Sequence, residues 1–251
     1  MRIDVVSLFP DFIEQVVKFG IPARACEQNR LQLKCWDVRK FTTDIHRTVD
    51  DRPYGGGPGM VMKFKPLEAA INAAKAENFS KVVYLSPQGK SLTQARLQQA
   101  SQEPGLILVA GRYEGIDERV VETLIDEEWS LGDYVLSGGE LAAMVILDGI
   151  ARLLPGVLGH KLSAQQDSFV AGLLDCPHYT RPEQIGDLVV PDVLLSGNHK
   201  AIEQWRAKQA LERTYQRRPD LIEKLELTQQ QQKMLEQYQQ TLTDSNRSDF
   251  E

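Results

Sequence analysis

The feature that most constrains this chain is an alternation that runs from the N-terminus to about residue 150. Short apolar runs rich in β-branched residues, at 3–8, 31–36, 81–85 and 106–110, read as strands, with a further short one at 134–136. Helical patterns lie between them. Pro10 precedes a helix at 11–19, Pro66 sits in the first turn of one at 67–78, and Thr93 caps one at 94–100. Strands separated by helices return to the sheet by crossovers, so the expected class is α/β with a parallel, helix-covered sheet. A helix at 139–154 ends at Pro155, and the polar, Gly/Ser-bearing stretch 156–167 reads as a connection to a second domain. Helices are expected there at 168–174, 198–218, 219–227 and, capped by Thr228, 229–241. At 251 residues the chain fits one large or two ordinary domains. The bounds drawn are 1–160, a linker at 161–172, and a helical domain at 173–251.

Several function classes drop out. Hydrophobic residues at 42% suffice for a core, so disorder is excluded. Cys26, Cys35 and Cys176 lack CxxC spacing, which supports neither a disulfide framework nor a zinc ribbon. Asp4 and Pro10 interrupt the apolar core a signal peptide needs, and the apolar stretch 141–147 stops at Asp148, short of the ~20 residues of a membrane span. A soluble, cytoplasmic protein with no membrane partner is expected.

The net charge of −6 argues against a simple nucleic-acid binder, but its layout does not. Residues 1–100 carry 15 basic and 10 acidic side chains, whereas 101–140 carry 2 and 10. Residues 199–218 hold six basic side chains against Glu203 and Glu212. That helix suits phosphate contact, and equally an ordinary solvated face.

Three glycine-bearing loops follow strand-like segments: SPQG at 86–89, GRYEG at 111–115 and GDYVLSGGE at 132–140. Ligands of open α/β sheets gather at the carboxyl ends of strands, where loop amides point outward. Loops need glycine for positive φ anyway, yet three together favour a nucleotide-like ligand. Gly89-Lys90-Ser91 mimics the end of a P-loop, but Tyr84 stands where the first glycine belongs. No GxGxxG follows the first strand. A ligand with few phosphates, such as an adenosine bearing an amino-acid tail, remains compatible. The long loop 39–60 gathers His46, Arg47, Asp50, Asp51, Arg52 and Tyr54 with four glycines. Arginine and histidine can hold phosphates, a carboxylate can read a base edge and a tyrosine can stack; the alternative is a loosely packed surface loop.

HRTVDDRPYGGGPGM at 46–60, YLSPQG at 84–89, GRYEGIDERV at 111–120 and GDYVLSGGE at 132–140 together resemble the bacterial tRNA (guanine-N1)-methyltransferase family. PGVLG at 155–159, GLLDCPHYTRP at 172–182 and LLSGNH at 194–199 extend the resemblance to about residue 218. It implies a SPOUT-class α/β fold with a deep trefoil knot, which periodicity could not show, and a small helical C-terminal domain that binds tRNA. It also implies S-adenosyl-L-methionine as cofactor and a homodimer whose active sites are shared between subunits. The implied reaction is methylation of N1 of guanosine 37, immediately 3′ of the anticodon, where another guanosine precedes it. Mg²⁺ acting through tRNA is implied too, without a ligand signature here.

The same resemblance assigns residues. Asp167, within SAQQDSF, is the general base and Arg152 the cation that stabilises charge on the guanine. The cofactor would be held by Tyr84, Leu85, Ser86, Pro87 and Gly89, then Gly111, Arg112, Tyr113 and Glu114. Leu131, Gly132, Asp133, Tyr134, Val135, Leu136, Gly138 and Gly139 complete that set. RNA contacts fall to His46, Arg47, Asp50, Arg52, Lys200, Arg206, Arg213 and Arg217. Ala142 departs from the family's proline just after the third loop. Read without the family, Asp167 would cap a helix at 168–174, Arg152 would face its own helix C-terminus, and Asp117 to Arg119 would be a solvated first turn. Cys176-Pro177-His178 is half a metal site that nothing in the sequence completes, so no metal is assigned. A SPOUT enzyme acting on ribosomal RNA or ribose hydroxyls would not need Asp167 and Arg152, and a catalytically silent RNA-binding protein would lack them.

Overall fold

A computed structural model describes residues 1–159 and 167–248 of the chain. It divides into two compact units, Met1–Lys161 and Leu162–Glu251. The expected linker at 161–172 lies outside the described residues as far as 166.

In chain order the first unit contains β1 (Arg2–Ser7), α1 (Pro10–Glu14), α2 (Gly20–Glu27), β2 (Gln32–Asp37), β3 (Asp50–Asp51), β4 (Val61–Met62) and α3 (Phe64–Glu77). There follow β5 (Val82–Ser91), α4 (Gln94–Ala100), β6 (Gly105–Ala110), α5 (Glu118–Leu124), β7 (Glu127–Ser130) and α6 (Glu140–Leu153). Five strands form one parallel sheet in the order β2-β1-β6-β5-β7, and β3 pairs antiparallel with β4. The unit is α/β, as the alternation predicts.

The continuous apolar runs follow from burial on both faces. Ile3, Val5, Val83, Leu85, Leu106, Leu108 and Trp129 pack with Leu97 of α4 and Ala143, Ile146, Leu147 and Ile150 of α6. Val6, Val82, Tyr84, Ile107 and Val109 pack with Leu67, Ala70, Ile71 and Ala74 of α3 and Val120 of α5. Strand-to-helix connections then emerge at the carboxyl ends of β5, β6 and β7.

Several local expectations are corrected. The strand read at 134–136 is absent: those residues are irregular, and the last strand is β7, where Glu127 and Glu128 interrupt the apolar pattern at the sheet edge. The strand read at 81–85 continues to Ser91 through a register shift between Leu85 and Lys90, which absorbs the SPQG segment. The helix read at 11–19 stops at Glu14, gives way to a 3₁₀ turn at Val16–Lys18, and is followed by α2, masked by Gly20 and Pro22. Residues 168–174 form turns, because Phe169 (φ 73°) and Gly172 (φ 78°) take left-handed conformations that no helix contains. The helix-cap reading of Asp167 falls with that helix.

The second unit contains a hairpin of β8 (Gln184–Ile185) and β9 (Leu188–Val189), then α7 (Asp192–Leu195), α8 (His199–Arg217), α9 (Pro219–Ile222) and α10 (Gln229–Ser248). Asn198 caps α8 by accepting from Ala201 N at 3.2 Å, and Thr228 Oγ1 accepts from Gln231 N at 3.3 Å before α10. The helix read at 219–227 ends at Ile222. Thr214 Oγ1, buried on α8, accepts from Leu174 N at 2.9 Å and so ties the 167–176 turns to that helix. Among the described residues no helix is long and apolar enough to cross a membrane.

Candidate active site

The three glycine loops converge on one cleft of about 800 Å³, counting its open mouth, at the carboxyl ends of β5, β6 and β7. Of the cofactor residues expected from sequence, all but Gly89 and Asp133 line it. Gly89 lies in β5, where a β-carbon would overlap the backbone of Glu128 and Trp129. Gly115, Trp129, Ser130 and Ala142 line the cleft as well. Trp129 and Ser130 escaped the sequence reading because the glutamates before them hid β7.

Backbone contacts hold the loops together. Gly139 N donates to Gly111 O at 2.9 Å, and a β-carbon at Gly139 would stand 2.8 Å from Ala110 Cα, so only glycine lets the third loop lie against the end of β6. Arg112 Nε donates to Glu140 Oε2 at 2.9 Å and Nη1 donates to Ser137 O at 3.2 Å. Beneath the second loop sits Tyr84, buried against Gly111 and Ile116. Burial pushes its phenol up to about 12; the Glu128 charge adds to this, and a hydrogen bond with the Ile116 backbone opposes it. Tyr113 and Tyr134 stand half-exposed in the loops that wall the cleft, and Tyr113 takes a positive φ of 62°.

This lining sorts ligands. Among the described residues Arg112 is its one basic side chain, and Glu140 already engages it. A polyphosphate would find no free cation here. A nucleoside with a short charged tail fits aromatic and apolar walls, loop amides and the exposed Glu114 carboxylate, which suits a positive centre.

The two residues given catalytic roles belong to different units. Arg152 lies in the last turn of α6. Asp167 lines a cleft of the second unit together with Asp175, Cys176, His178, Glu203 and Arg206. Asp175, Cys176 and His178 bring potential metal-ligand atoms within 4.8 Å of one another. Asp175 directly precedes Cys176 in sequence, and its carboxylate accepts from His178 Nε2 at 2.9 Å and from Cys176 N at 2.7 Å. Burial alone would raise the Asp175 carboxyl, but these bonds outweigh it and hold it below the usual range. Burial also pushes the Cys176 thiol up.

The long loop has an exposed tip on an anchored base. His46, Arg47, Arg52 and Tyr54 are exposed, while Asp50 is half-buried in β3. Asp44 accepts from Thr48 N and Oγ1, and Lys63 N donates to buried Val49 O at 2.8 Å. The loop exit is fastened to the second glycine loop: Glu114 N donates to Met60 O, and Met62 N to Gly115 O, both at 3.0 Å. Asp117 caps α5 and pairs with Arg119, as an ordinary first turn does. On α8, Lys200, Arg206 and Arg217 are exposed and Arg213 is half-buried. Helical spacing aligns Arg206, Arg213 and Arg217 on one stripe, with Lys200 about a third of a turn away.

A family model described as tRNA (Guanine-1)-methyltransferase TrmD matches residues 1–224. The chain belongs to this family. A tRNA (guanine-N(1)-)-methyltransferase of Pseudomonas fluorescens (strain SBW25) is 60% identical over 240 residues, covering 95% of this chain and 96% of the relative. The protein of that name from Pasteurella multocida (strain Pm70) is 58% identical over 239 residues, covering 94% and 98%. One from Pseudoalteromonas atlantica (strain T6c / ATCC BAA-1087) is 60% identical over 246 residues, covering 97% and 93%. The TrmD match includes all three glycine loops, the long loop and α8, and stops before α10.

Proposed function

We propose that this chain transfers a methyl group from S-adenosyl-L-methionine to N1 of guanosine 37 of tRNA, immediately 3′ of the anticodon, where a guanosine precedes the target. The observation that carries the reading is the family match over residues 1–224, and the convergence of its three loops on a cleft without free cations agrees with it.

N1 of guanine carries a proton and is a poor nucleophile, so the reaction needs a base at N1 and a positive group near O6. Asp167 takes the N1 proton, and Arg152 offsets the charge that builds on the guanine. The bound cofactor supplies an electrophilic methyl on a sulfonium. Backbone groups of the loops would orient its nucleoside, Leu136 and Tyr134 would shield it from water, and the Glu114 carboxylate would offset its positive charge. Mg²⁺, where required, acts through the tRNA.

The remaining assignments belong to the same proposal. The loops at 84–91, 111–115 and 131–139 form a trefoil knot, in keeping with the close passage of Gly139 across the end of β6. Residues 1–160 bind the cofactor, 161–172 link, and 173–251 bind tRNA together with His46, Arg47, Asp50 and Arg52. The working form is a cytoplasmic homodimer with shared active sites. Exposed Phe9, Phe12, Leu141 and Val145, on and beside α1 and α6, which pack together, offer an apolar face for a second copy.

The test is methyl transfer from labelled S-adenosyl-L-methionine to tRNA transcripts with and without a guanosine before the target. Labelling of the first alone is expected. Equal labelling of both would overturn the specificity, and labelling of neither the activity.

A further inference from the structure

Asp175, Cys176 and His178 meet in the second unit and have no part in the proposed reaction. One potential ligand atom from each lies within 4.8 Å of the other two. All three line the same cleft as Asp167, Glu203 and Arg206, so the cluster borders open space. Its composition separates it from a surface patch of carboxylates. A thiol, an imidazole and a carboxylate are the mixed donors that zinc-class cations take, whereas Mg²⁺ takes oxygen.

The geometry is near what such an ion requires. Tetrahedral bonds of ~2.0–2.3 Å hold the ligand atoms about 3.3–3.6 Å apart. Asp175 Oδ2 stands 2.9 Å from His178 Nε2, so that edge opens slightly, and no other edge closes by more than about 1.5 Å. The exposed His178 ring is free of core packing and can make that adjustment.

The surrounding backbone is fixed. Asp175 N donates to Ser168 Oγ and Leu174 N to Thr214 Oγ1, both at 2.9 Å, and Pro177 restricts the chain between Cys176 and His178. Asp175 Oδ1 accepts from Cys176 N at 2.7 Å, which orients the carboxylate and leaves Oδ2 for an ion, as outer hydrogen bonds do at metal centres. Thiolate and carboxylate together balance a double positive charge, and Asp167 and Glu203 outnumber Arg206 around them.

We infer that Asp175, Cys176 and His178 form a three-ligand site for a zinc-class divalent cation, with water in the fourth position. Binding releases the Cys176 proton to solvent and exchanges the Asp175–His178 hydrogen bond for two metal bonds. It also sets a dication in the cleft that holds Asp167. This consequence rests on the proposed role of Asp167 as the base: the ion offsets that carboxylate's charge, weakens it as a proton acceptor and slows methyl transfer.

The experiment titrates Zn²⁺ and Cd²⁺ into the metal-stripped full-length protein and its Cys176→Ser and His178→Ala variants, with and without excess Mg²⁺. Calorimetry is expected to give a Zn²⁺ site in the wild type that is at least ~10-fold weaker in each variant. Cd²⁺ should raise a thiolate-to-metal charge-transfer band that Cys176→Ser lacks, although this variant retains Cys26 and Cys35. Excess Mg²⁺ should displace neither ion. Unchanged affinity for S-adenosyl-L-methionine establishes that the variants are folded. Zn²⁺ should lower the single-turnover rate of the wild type at least ~10-fold and spare Cys176→Ser. Zn²⁺ affinity that survives in both variants, a missing charge-transfer band or displacement by Mg²⁺ would overturn the site. Zn²⁺ bound there with an undiminished rate would overturn its coupling to Asp167. Absence of methyl transfer before any Zn²⁺ is added would instead overturn the proposed reaction.

Discussion

Arg112 Nε lies 2.9 Å from Glu140 Oε2, and the other oxygen of that carboxylate accepts from Ser7 Oγ at 2.8 Å. One carboxylate thus joins the end of β1, the loop after β6 and the first turn of α6. Arg112 also reaches Ser137 O and lies 4.5 Å from the Phe9 ring centroid, so two of the three glycine loops share one anchor.

The Glu140 side chain is 1% exposed and that of Arg112 22%. Removing one member of a buried pair leaves the other charge uncompensated, at a cost of about 3–5 kcal/mol. Glu140→Ala is expected to lose stability on that order in denaturant titration and to weaken S-adenosyl-L-methionine binding in calorimetry. Glu140→Gln, which still accepts one bond and keeps the volume, should lose less. Unchanged cofactor affinity in a folded Glu140→Ala protein would mean that the anchor does not shape the loops.

Glycines near the site divide by what a side chain would strike. At Gly139 the obstacle is Ala110 Cα, which is backbone and cannot swing away. At Gly149 it is the end of the Leu97 side chain, 2.7 Å away, and alanine favours the helix there. Gly139→Ala should therefore cost about 1–3 kcal/mol by overpacking and reduce cofactor affinity. Gly149→Ala should cost less and leave affinity alone, and thermal melts paired with calorimetry separate the two.

How much of this was legible follows from which residues carry it. β6 was readable because burial on both faces demands an unbroken apolar run, and β1 was readable despite Asp4, which is buried and held by Arg2, Trp36 and Asn78. β7 was not, because an edge strand tolerates Glu127 and Glu128, and the apolar residues 134–136 drew the eye to a loop. The cofactor loops stood out by their glycines, but the reasons for those glycines did not: Gly89 and Gly139 exist to let backbones touch. Ser7, Arg112 and Glu140 are far apart in sequence, and no spacing rule joins them before the sheet order is known. The turn at 168–174 carries a helical composition that two left-handed residues override.

Tyr84 couples the site to pH at the alkaline end. Its phenol is held near 12 by burial, above the ~10 of an exposed tyrosine. A group whose folded pKa is raised contributes stability that is complete below its unfolded pKa and is lost as pH rises through the folded value. Wild-type stability should therefore fall between about pH 10 and 12, by roughly 3 kcal/mol for a two-unit difference. Tyr84→Phe should remove that component of the slope, and tyrosinate absorbance should lose one late-titrating tyrosine, leaving Tyr238, which burial also raises, as a late component in both proteins.

Asp167 offers the sharpest separation of binding from chemistry, because the cofactor cleft is built from loops of the first unit and Asp167 belongs to the second. Asp167→Ala and Asp167→Asn should bind S-adenosyl-L-methionine with unchanged affinity. Without a base at N1 the methyl acceptor stays protonated, so the single-turnover rate should fall by about 10²–10⁴-fold, the span that a positioned proton acceptor contributes. Solvent can then take the proton in its place, so the residual rate of both variants should climb with pH more steeply than that of the wild type over the same range. A rate that is reduced but parallel to the wild type in pH would assign Asp167 to holding the guanine, and an undiminished single-turnover rate would remove it from the reaction altogether.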